Sequence, residues 1–486
     1  MVYSAQPDFL LPREPAMPSP ASTVPAAKIE LYRNKRKIHP RTVNGRFNTL
    51  RWLVVWVTQI IFYGGCWLSW DNRQALLFDI AHEKLYLFGL VLWPQDALLL
   101  ALALILAATG LFLVTAVAGR LFCGFACPQT VYTSIFMWIE AKVEGDHLAR
   151  RKLDQRPLDA DKLLRRGAKH GLWLAIALWT GITFVGYFIP IRELLDHLRA
   201  ATIGPWEAFW LVFYSLFTYL QAGFTREMVC QHMCPYSRFQ GVMFDPDSRS
   251  TSYDARRGEP RGVRSQGSQG DCVDCGICVQ VCPTGIDIRD GLQYQSINCG
   301  LCIDACDTVM AKTGRPAGLI RFASERELSL ALSQPLPQSS APAKLARSPW
   351  QRPRVLVYIG VFALFSALGA WTLAQRSLLL VDVLRDRGTL LRETASGEYE
   401  SAYTLKLMNL AEGDRHVRIA VSGVPGIRLV GKGEYLAPAG AVMPVQVTVA
   451  VPGDTGLSGI QTIHFQVSGD GDPHIQRDEP STFVLP

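Results

Sequence analysis

The sequence predicts a multi-domain membrane protein: an α-helical bundle of five transmembrane spans, a cysteine-rich α+β insertion on one side, and a C-terminal all-β sandwich. Three observations predict it. Of 486 residues, 49% are apolar and only 19% charged, against about 25% charged in soluble domains, and the apolar residues come in blocks. All 12 cysteines precede Asp307. The C-terminal stretch alternates apolar and polar residues between Gly and Pro. Ample apolar content excludes a disordered chain, and length excludes a small disulfide scaffold.

Residues 1–50 read as a cytoplasmic tail, whose first 27 residues are rich in Pro, Ala and Ser and lack the apolar core of a signal peptide. Five windows then lack Asp, Glu, Lys and Arg: 52–70, 97–118, 171–191, 208–225 and 355–374. Each is about long enough to cross a ~30 Å hydrocarbon layer, which takes roughly 17–25 helical residues. Trp52, Trp70, Trp173 and Trp206 lie in or beside these windows, several of them marking ends, as in an aromatic belt. The run 85–93 is too short to span and reads as a re-entrant or interfacial piece.

Basic residues set the orientation. Eight lie between Lys28 and Arg51, two in 71–96, ten in 119–170, and two, Arg192 and Arg199, in the next loop. The N-terminus and the connection at 226–354 are therefore expected in the cytoplasm. The fifth span (355–375) then carries residues 376–486 to the periplasm of a bacterial inner membrane. Eleven thiols fall on or next to the reducing side, which favours metal ligation over disulfides. Cys66 lies inside the first span and reads as a small apolar residue. His39, His82, His147, His170 and His197 read as solvated or interfacial.

The strongest motif is Cys272-x2-Cys275-x2-Cys278-x3-Cys282-Pro283, the spacing of bacterial ferredoxins. Three close thiolates take three corners of an iron–sulfur cube, and the fourth, followed by Pro, ligates the other cluster. A second half follows, Cys299-x2-Cys302-x3-Cys306, with Ser296 where a complete copy has Cys. Crossed ligation gives one 4Fe-4S cluster Cys272, Cys275, Cys278 and Cys306. The other receives Cys299, Cys302 and Cys282, with Ser296 at the remaining corner. A serine alkoxide is harder and more basic than a thiolate, so the second cluster is expected to be serine-ligated or a three-iron (3Fe-4S) form.

Two further pairs stand out, Cys123-x3-Cys127-Pro128 and Cys230-x3-Cys234-Pro235. They follow the second and fourth windows and are preceded by Arg120 and Arg226. On a helix, i and i+4 would share a face, although the following Pro also permits a turn at the second Cys. Four soft ligands from two pairs suit Cu(I) or an iron–sulfur cluster, and His232 and Met233 lie between the second pair as further candidate ligands.

These residues resemble a known family, the cytochrome c oxidase accessory protein CcoG, also called FixG or RdxA. The likeness rests on KRKIHPRTVNGRFNTLRW, AGRLFCGFACPQTVYTSIFMWIE, MVCQHMCPYSRFQGVMFD, SYDARRGEPRG and the cysteine-rich stretch from GDCVDCGICVQVCPTGIDIRD to GRPAGLIRF. The resemblance implies two tetranuclear clusters in a cytoplasmic domain. It implies reduction of Cu(II) to Cu(I) for assembly of a cbb3-type oxidase, with Cys123, Cys127, Cys230 and Cys234 carrying the reaction. Ser296 departs from the family pattern, which has Cys there.

The partners expected are the lipid bilayer, oxidase subunits or assembly factors, and a cytoplasmic electron donor. A homo-oligomer is compatible with the sequence, and nucleic acid is not expected. Two rival readings are a quinone-linked electron carrier similar to NapH and NosR, and a non-catalytic assembly scaffold.

The ferredoxin fold is expected at about 271–321, followed by a Pro- and Ser-rich linker at 329–354. Beyond the last span, 402–408, 416–421, 442–450 and 460–467 alternate as strands, the density of a β-sandwich. The family likeness implies that the sandwich is immunoglobulin-like.

Overall fold

The computed structural model describes residues 38–262, 270–332, 349–386, 391–411, 413–469 and 476–486. The expected N-terminal tail, up to residue 37, and most of the expected linker lie outside the described residues.

Helix α1 (Arg46–Gly65) ends at a Gly pair, five residues before the first apolar window does. The chain turns instead into a hairpin of β1 (Ser69–Trp70) and β2 (Arg73–Gln74). Its two loop residues, Asp71 and Asn72, both have positive φ, 47° and 62°, as a type I′ turn demands. A three-stranded sheet follows: β3 (Leu76–Asp79), β4 (Lys84–Leu87) and β5 (Leu90–Leu92). The re-entrant reading of 85–93 is thereby corrected. The run is a hairpin pairing Leu85 with Leu92 and Tyr86 with Val91, and it is apolar because Val91 and Trp93 pack on Leu410 of the C-terminal domain.

Next come α2 (Ala97–Ala118), α3 (Leu121–Phe125), α4 (Pro128–Val143), α5 (His147–Gln155), α6 (Ala160–Val185), α7 (Ile191–Arg199) and α8 (Pro205–Leu220). Helix α8 runs on into a wider π-helical turn, Gln221–Thr225. After α9 (Arg226–Met228) a second π turn, Val229–Met233, leads to α10 (Pro235–Met243). Beyond the insertion, α15 (Pro353–Ala374) packs along α2.

Among the described residues, three helical stretches are long and apolar enough to cross a membrane: Pro94–Ala118, Ala160–Val185 and Pro353–Ala374. The first and third are only 11% and 6% buried, so they expose apolar surface that water would not tolerate. Helix α6 starts eleven residues before its charge-free window. Its basic first turns are neutralised locally: Lys162 Nζ donates to the Asp154 carbonyl, and Lys169 Nζ pairs with Glu144 at 2.7 Å. Helices α6 and α8 touch where Gly181 lies; a Cβ there would stand 2.8 Å from the Leu211 carbonyl.

The insertion is built from β6 (Ser250–Tyr253), α11 (Ala255–Gly258), α12 (Ile277–Gln280), α13 (Leu301–Lys312), β7 (Ile320–Ala323) and α14 (Glu325–Leu332). Strand β6 pairs antiparallel with β7, Tyr253 opposite Ile320. The domain thus reaches back to Ser250 and is wider than 271–321, because its sheet takes one strand from the segment after α10.

After α15 comes the sandwich: β8 (Leu379–Arg385), β9 (Arg392–Glu393), β10 (Glu398–Asn409), β11 (Arg415–Ser422), β12 (Arg428–Val430), β13 (Glu434–Ala437), β14 (Val442–Pro452), β15 (Gly459–Gly469) and β16 (Gln476–Leu485). One sheet has the order β12-β14-β10-β8 with β9 beside β10, the other β13-β11-β15-β16. Alternate residues of both sheets, among them Tyr403, Leu405, Val447, Phe465 and Phe483, fill the space between them. Tyr403 stacks edge-on against Phe465 at 5.1 Å and donates its hydroxyl to the Thr482 carbonyl.

The two soluble parts sit at opposite ends of the α2–α15 pair. At one end Arg352 donates to the Ala116 carbonyl and to both oxygens of Asp245, at 2.7 Å each. At the other end Arg376 binds both oxygens of Asp96 at 2.9 and 2.6 Å, and Lys84 reaches the Gly440 carbonyl of the sandwich.

Candidate iron–sulfur and thiol site

The cysteine-rich insertion is a local repeat in backbone as well as sequence. In Asp274-Cys275-Gly276 and Asn298-Cys299-Gly300 the residues on both sides of the Cys are left-handed, with φ of 54° and 63° in the first and 54° and 74° in the second. Gly adopts this conformation freely, and Asp and Asn are the side chains that tolerate it best. Each turn then feeds a helix, α12 or α13, that carries the next Cys, Cys278 or Cys302. Ser296 occupies in the second half the position Cys272 holds in the first.

Each half faces a cavity. One is lined by Cys272, Cys275, Cys278 and Cys306 together with Tyr253 and Arg289. The other is lined by Cys282, Cys299, Cys302 and Ser296, and also by Cys278. Among the described residues no three Cys, His, Asp or Glu side chains converge tightly enough to hold a single metal ion. Thiols spread around a void suit a multi-atom cluster, which needs its ligands apart, and so the residues fit iron–sulfur clusters.

Burial pushes the Cys278 thiol up to about 11, with Arg289 opposing, and that of Cys306 up to about 12. It raises Cys299, with Arg51 opposing, and Cys302 as well. Metal binding must therefore displace protons from these sulfurs. Ser296 is buried, and its Oγ accepts from the Asn298 N–H at 3.4 Å.

The two Cys-x3-Cys-Pro segments share one geometry. Cys123 lies in α3, and Cys127 is the extended N-cap residue of α4 with Pro128 at the first helical position. Cys230 lies in the π turn Val229–Met233, and Cys234 is the extended N-cap of α10 ahead of Pro235. Of the two geometries the sequence leaves open, the turn is the one observed: the helix breaks at each second Cys, where the following Pro disfavours helical geometry.

The four thiols lie within electrostatic reach of one another, and Cys123, Cys127 and Cys230 within reach of the Arg120 guanidinium. Burial pushes Cys123 up to about 11 and Cys230 up to about 12, and raises Cys127. His232 and Met233 stay exposed, Met233 at 62%. Cys66 is buried, its Sγ facing the Tyr63 carbonyl. The His39 side chain, expected to be solvated or interfacial, is covered and bonded to Asp154 at 3.0 Å.

The four-thiol site abuts the second cavity directly. Cys123 packs in one apolar cluster with Cys299, Ile297 and Leu301. A Cβ on Gly124 would stand 2.6 Å from the Ile297 carbonyl and 3.0 Å from the Cys299 backbone nitrogen, so only Gly permits this approach. Arg120, buried, binds Gln240 Oε1 at 2.8 Å and the carbonyls of Tyr294 and Ser296. Gln231, between the second pair, donates to the Thr284 carbonyl, and Thr284 Oγ1 lies 3.3 Å from the Cys282 sulfur.

Sequence reasoning marked Arg120 and Arg226 alike, each preceding a pair, but they differ. Arg226 turns away to a buried network, pairing with Glu140 at 3.0 Å alongside Arg150 at 3.1 Å. Gly124 and Gln240 carried no sequence signal of their own. The Asp/Asn-Cys-Gly repeat was readable and would have placed the two left-handed turns.

A helical membrane part, a two-cavity thiol insertion and an antiparallel sandwich define a membrane-associated ferredoxin-type protein. Known proteins agree. The family description "4Fe-4S dicluster domain" matches residues 225–325, "4Fe-4S binding domain" matches 100–153, and "IG-like fold at C-terminal of FixG" matches 369–486. The nitrogen fixation protein FixG of Rhizobium meliloti is 38% identical over 444 residues, 85% of each chain. Protein RdxA of Cereibacter sphaeroides is 39% identical over 407 residues, 82% of this chain and 85% of that one. A crystal structure of a FixG-related protein from Vibrio parahaemolyticus is 24% identical over 23% of this chain and 98% of its own, with a TM-score of 0.21. The chain belongs to the FixG/RdxA family.

Proposed function

We propose that this protein is a one-electron relay that reduces Cu(II) to Cu(I) at the four-thiol site, for assembly of a cbb3-type oxidase. The carrying observation is the joint between that site and the second thiol-lined cavity, made by Gly124 against Cys299 and by Arg120 between them. Clusters in the two cavities supply one-electron storage when bound. Cys272, Cys275, Cys278 and Cys306 would hold one, and Cys282, Cys299, Cys302 and Ser296 the other. Arg120 offsets the negative charge of thiolates at the four-thiol site, and Arg51 does so for Cys282 and Cys299 on the other side of the joint. Cys123, Cys127, Cys230 and Cys234 do not converge on one point as they stand, so they would draw together around the copper substrate and, being soft, favour it once reduced. Exposed His232 and Met233 receive the ion before it reaches the sulfurs.

We read all five apolar windows as spans, α1 and the α8–π segment included. The insertion then faces the cytoplasm and the sandwich the periplasm, which the alternating basic loops and the opposite ends of α2–α15 support. Copper counting tests the reading. A Cys127→Ser, Cys234→Ser variant should keep its iron and lose both copper and Cu(II) reduction, and an unchanged rate would contradict it.

A second reading has one observation in its favour. The "4Fe-4S binding domain" likeness covers Cys123 and Cys127, so the four thiols would hold a third cluster. Iron and inorganic sulfide per chain separate the two: about eight or fewer irons supports copper, about twelve supports the third cluster.

A further inference from the structure

A cavity of about 810 Å³ lies between α1, α4 and α6, the size of a site for a sizeable organic ligand. Four tryptophans line it, Trp52 and Trp56 from α1, Trp138 from α4 and Trp179 from α6. Trp56, Trp138 and Trp179 are 63%, 51% and 41% exposed, so the apolar wall opens toward the surface that lipid would cover. The inner end is made by Val281, Pro283 and Leu301, the residues around Cys282 and beside Cys302. The cavity therefore borders the second thiol-lined space.

Two buried polar side chains line it, each with one atom left unpaired. Arg51, 4% exposed, spends one nitrogen on Ser134 Oγ at 2.6 Å, while its Nε–H has no acceptor. Gln59, 9% exposed, has an Oε1 with no donor. Both line the cavity, and eight residues of helix set them about 12 Å apart along the axis of α1. A ligand that satisfies both must accept at one end and donate at the other. A phospholipid headgroup that donates as well as accepts still carries a charged phosphate, which the apolar wall between the two groups disfavours, and an acyl chain neither donates nor accepts. A ring hydroxyl does both, and an aromatic ring on an apolar tail suits a tryptophan-lined wall that opens to lipid. Proximity to Cys282 and Cys299, whose sulfurs lie within electrostatic reach of Arg51, makes a redox-active ring the fitting occupant.

We propose that this cavity binds a membrane quinol and that quinol oxidation there charges the cluster pair. The proposal rests on the relay reading and replaces the soluble cytoplasmic donor expected from the sequence. The quinol loses two O–H protons and two electrons and becomes the quinone. The electrons leave singly through the second thiol-lined cavity, the protons pass to water at the mouth lined by Arg41 and Asn44, and two Cu(II) are reduced per quinol.

The test uses the full chain, purified without oxygen in lipid nanodiscs, with decyl-ubiquinone and its quinol as probes. Wild type should show saturable quenching of tryptophan fluorescence by the quinone, and bleaching of the iron–sulfur absorbance by the quinol. Gln59→Leu and the cavity-filling Ala141→Phe should each weaken quenching at least tenfold while iron content stays level. The proposal is overturned by non-saturable quenching, by equal affinity in both variants, or by quinol that binds and leaves the absorbance unchanged. It is equally overturned by a co-purified phospholipid that the quinone does not displace. Failure of dithionite-charged protein to reduce Cu(II) would strike the relay reading instead, since the binding readout does not involve copper.

Discussion

Asp304 of α13 caps the N-terminal end of α1: its Oδ2 accepts the Asn48 N–H at 2.8 Å, and its Oδ1 the Phe47 N–H at 3.2 Å. The cap comes from 256 residues away in sequence, so one carboxylate satisfies orphan helix donors and also docks the cysteine-rich domain onto the helical part. Phe47 stacks on Phe322 at 5.3 Å beside it.

Asp304→Ala should therefore cost about 1 kcal/mol, the usual worth of an N-cap. Amide hydrogen exchange at 46–50 should speed up while the sandwich is unaffected. Unchanged exchange there would mean that the docking rests on other contacts.

The joint at Gly124 admits no side chain. Gly124→Ala places a methyl against backbone atoms of Ile297 and Cys299, and overpacking of this kind costs about 1–3 kcal/mol. Iron should be retained while copper reduction by charged protein falls about tenfold or more, since small misplacements at a reaction centre cost that much or more. Single-turnover rates check it.

Ser296 lines the second cavity at the position that Cys272 holds in the first. Ser296→Cys should give that cavity a full set of four thiolates and raise retention of iron under mild oxidation to eight atoms per chain. EPR before and after air exposure reads the change. Identical spectra and iron counts in the two proteins would show that the serine is not a cluster ligand.

The base of α15 is held by a carboxylate. Burial opposes ionisation of Asp245, yet hydrogen bonds from Arg352 and Ser248 outweigh it and hold this carboxyl below the usual carboxylate range. A depressed folded-state pKa contributes stability that is present above the unfolded value of about 3.9 and is lost as pH falls through the folded one. Asp245→Asn should lower the melting temperature at pH 7, and the difference should shrink below pH 4.

Much of this architecture was legible because its physics is local. The spacing from Cys272 to Cys282 and the alternation in 442–450 fix chemistry and pleat within a few residues. The second window, 97–118, coincides with α2 because Asp96 before it and Gly119-Arg120 after it mark its limits in the sequence itself. What failed was non-local. The run 85–93 is apolar because Leu410, more than three hundred residues on, covers it. The start of α6 was hidden by lysines whose partners lie on α4 and at the end of α5. Strand β8 was missed, although it pairs with β10 from Leu379 to Arg385, because it follows the last span with no turn signal. Arg51 and Asp304 were equally opaque, their roles existing only where two domains meet.

Single-turnover mixing tests the central claim most directly. Dithionite-charged, desalted, oxygen-free protein is mixed with Cu(II) in the presence of a Cu(I)-specific chelator, and cluster absorbance is followed with it. The account predicts one Cu(I) formed per electron lost by the clusters in wild type. It predicts charged but inert clusters in the Cys123, Cys127, Cys230, Cys234→Ser variant. Equal Cu(I) yield from that variant, or no Cu(I) from charged wild type, would contradict it.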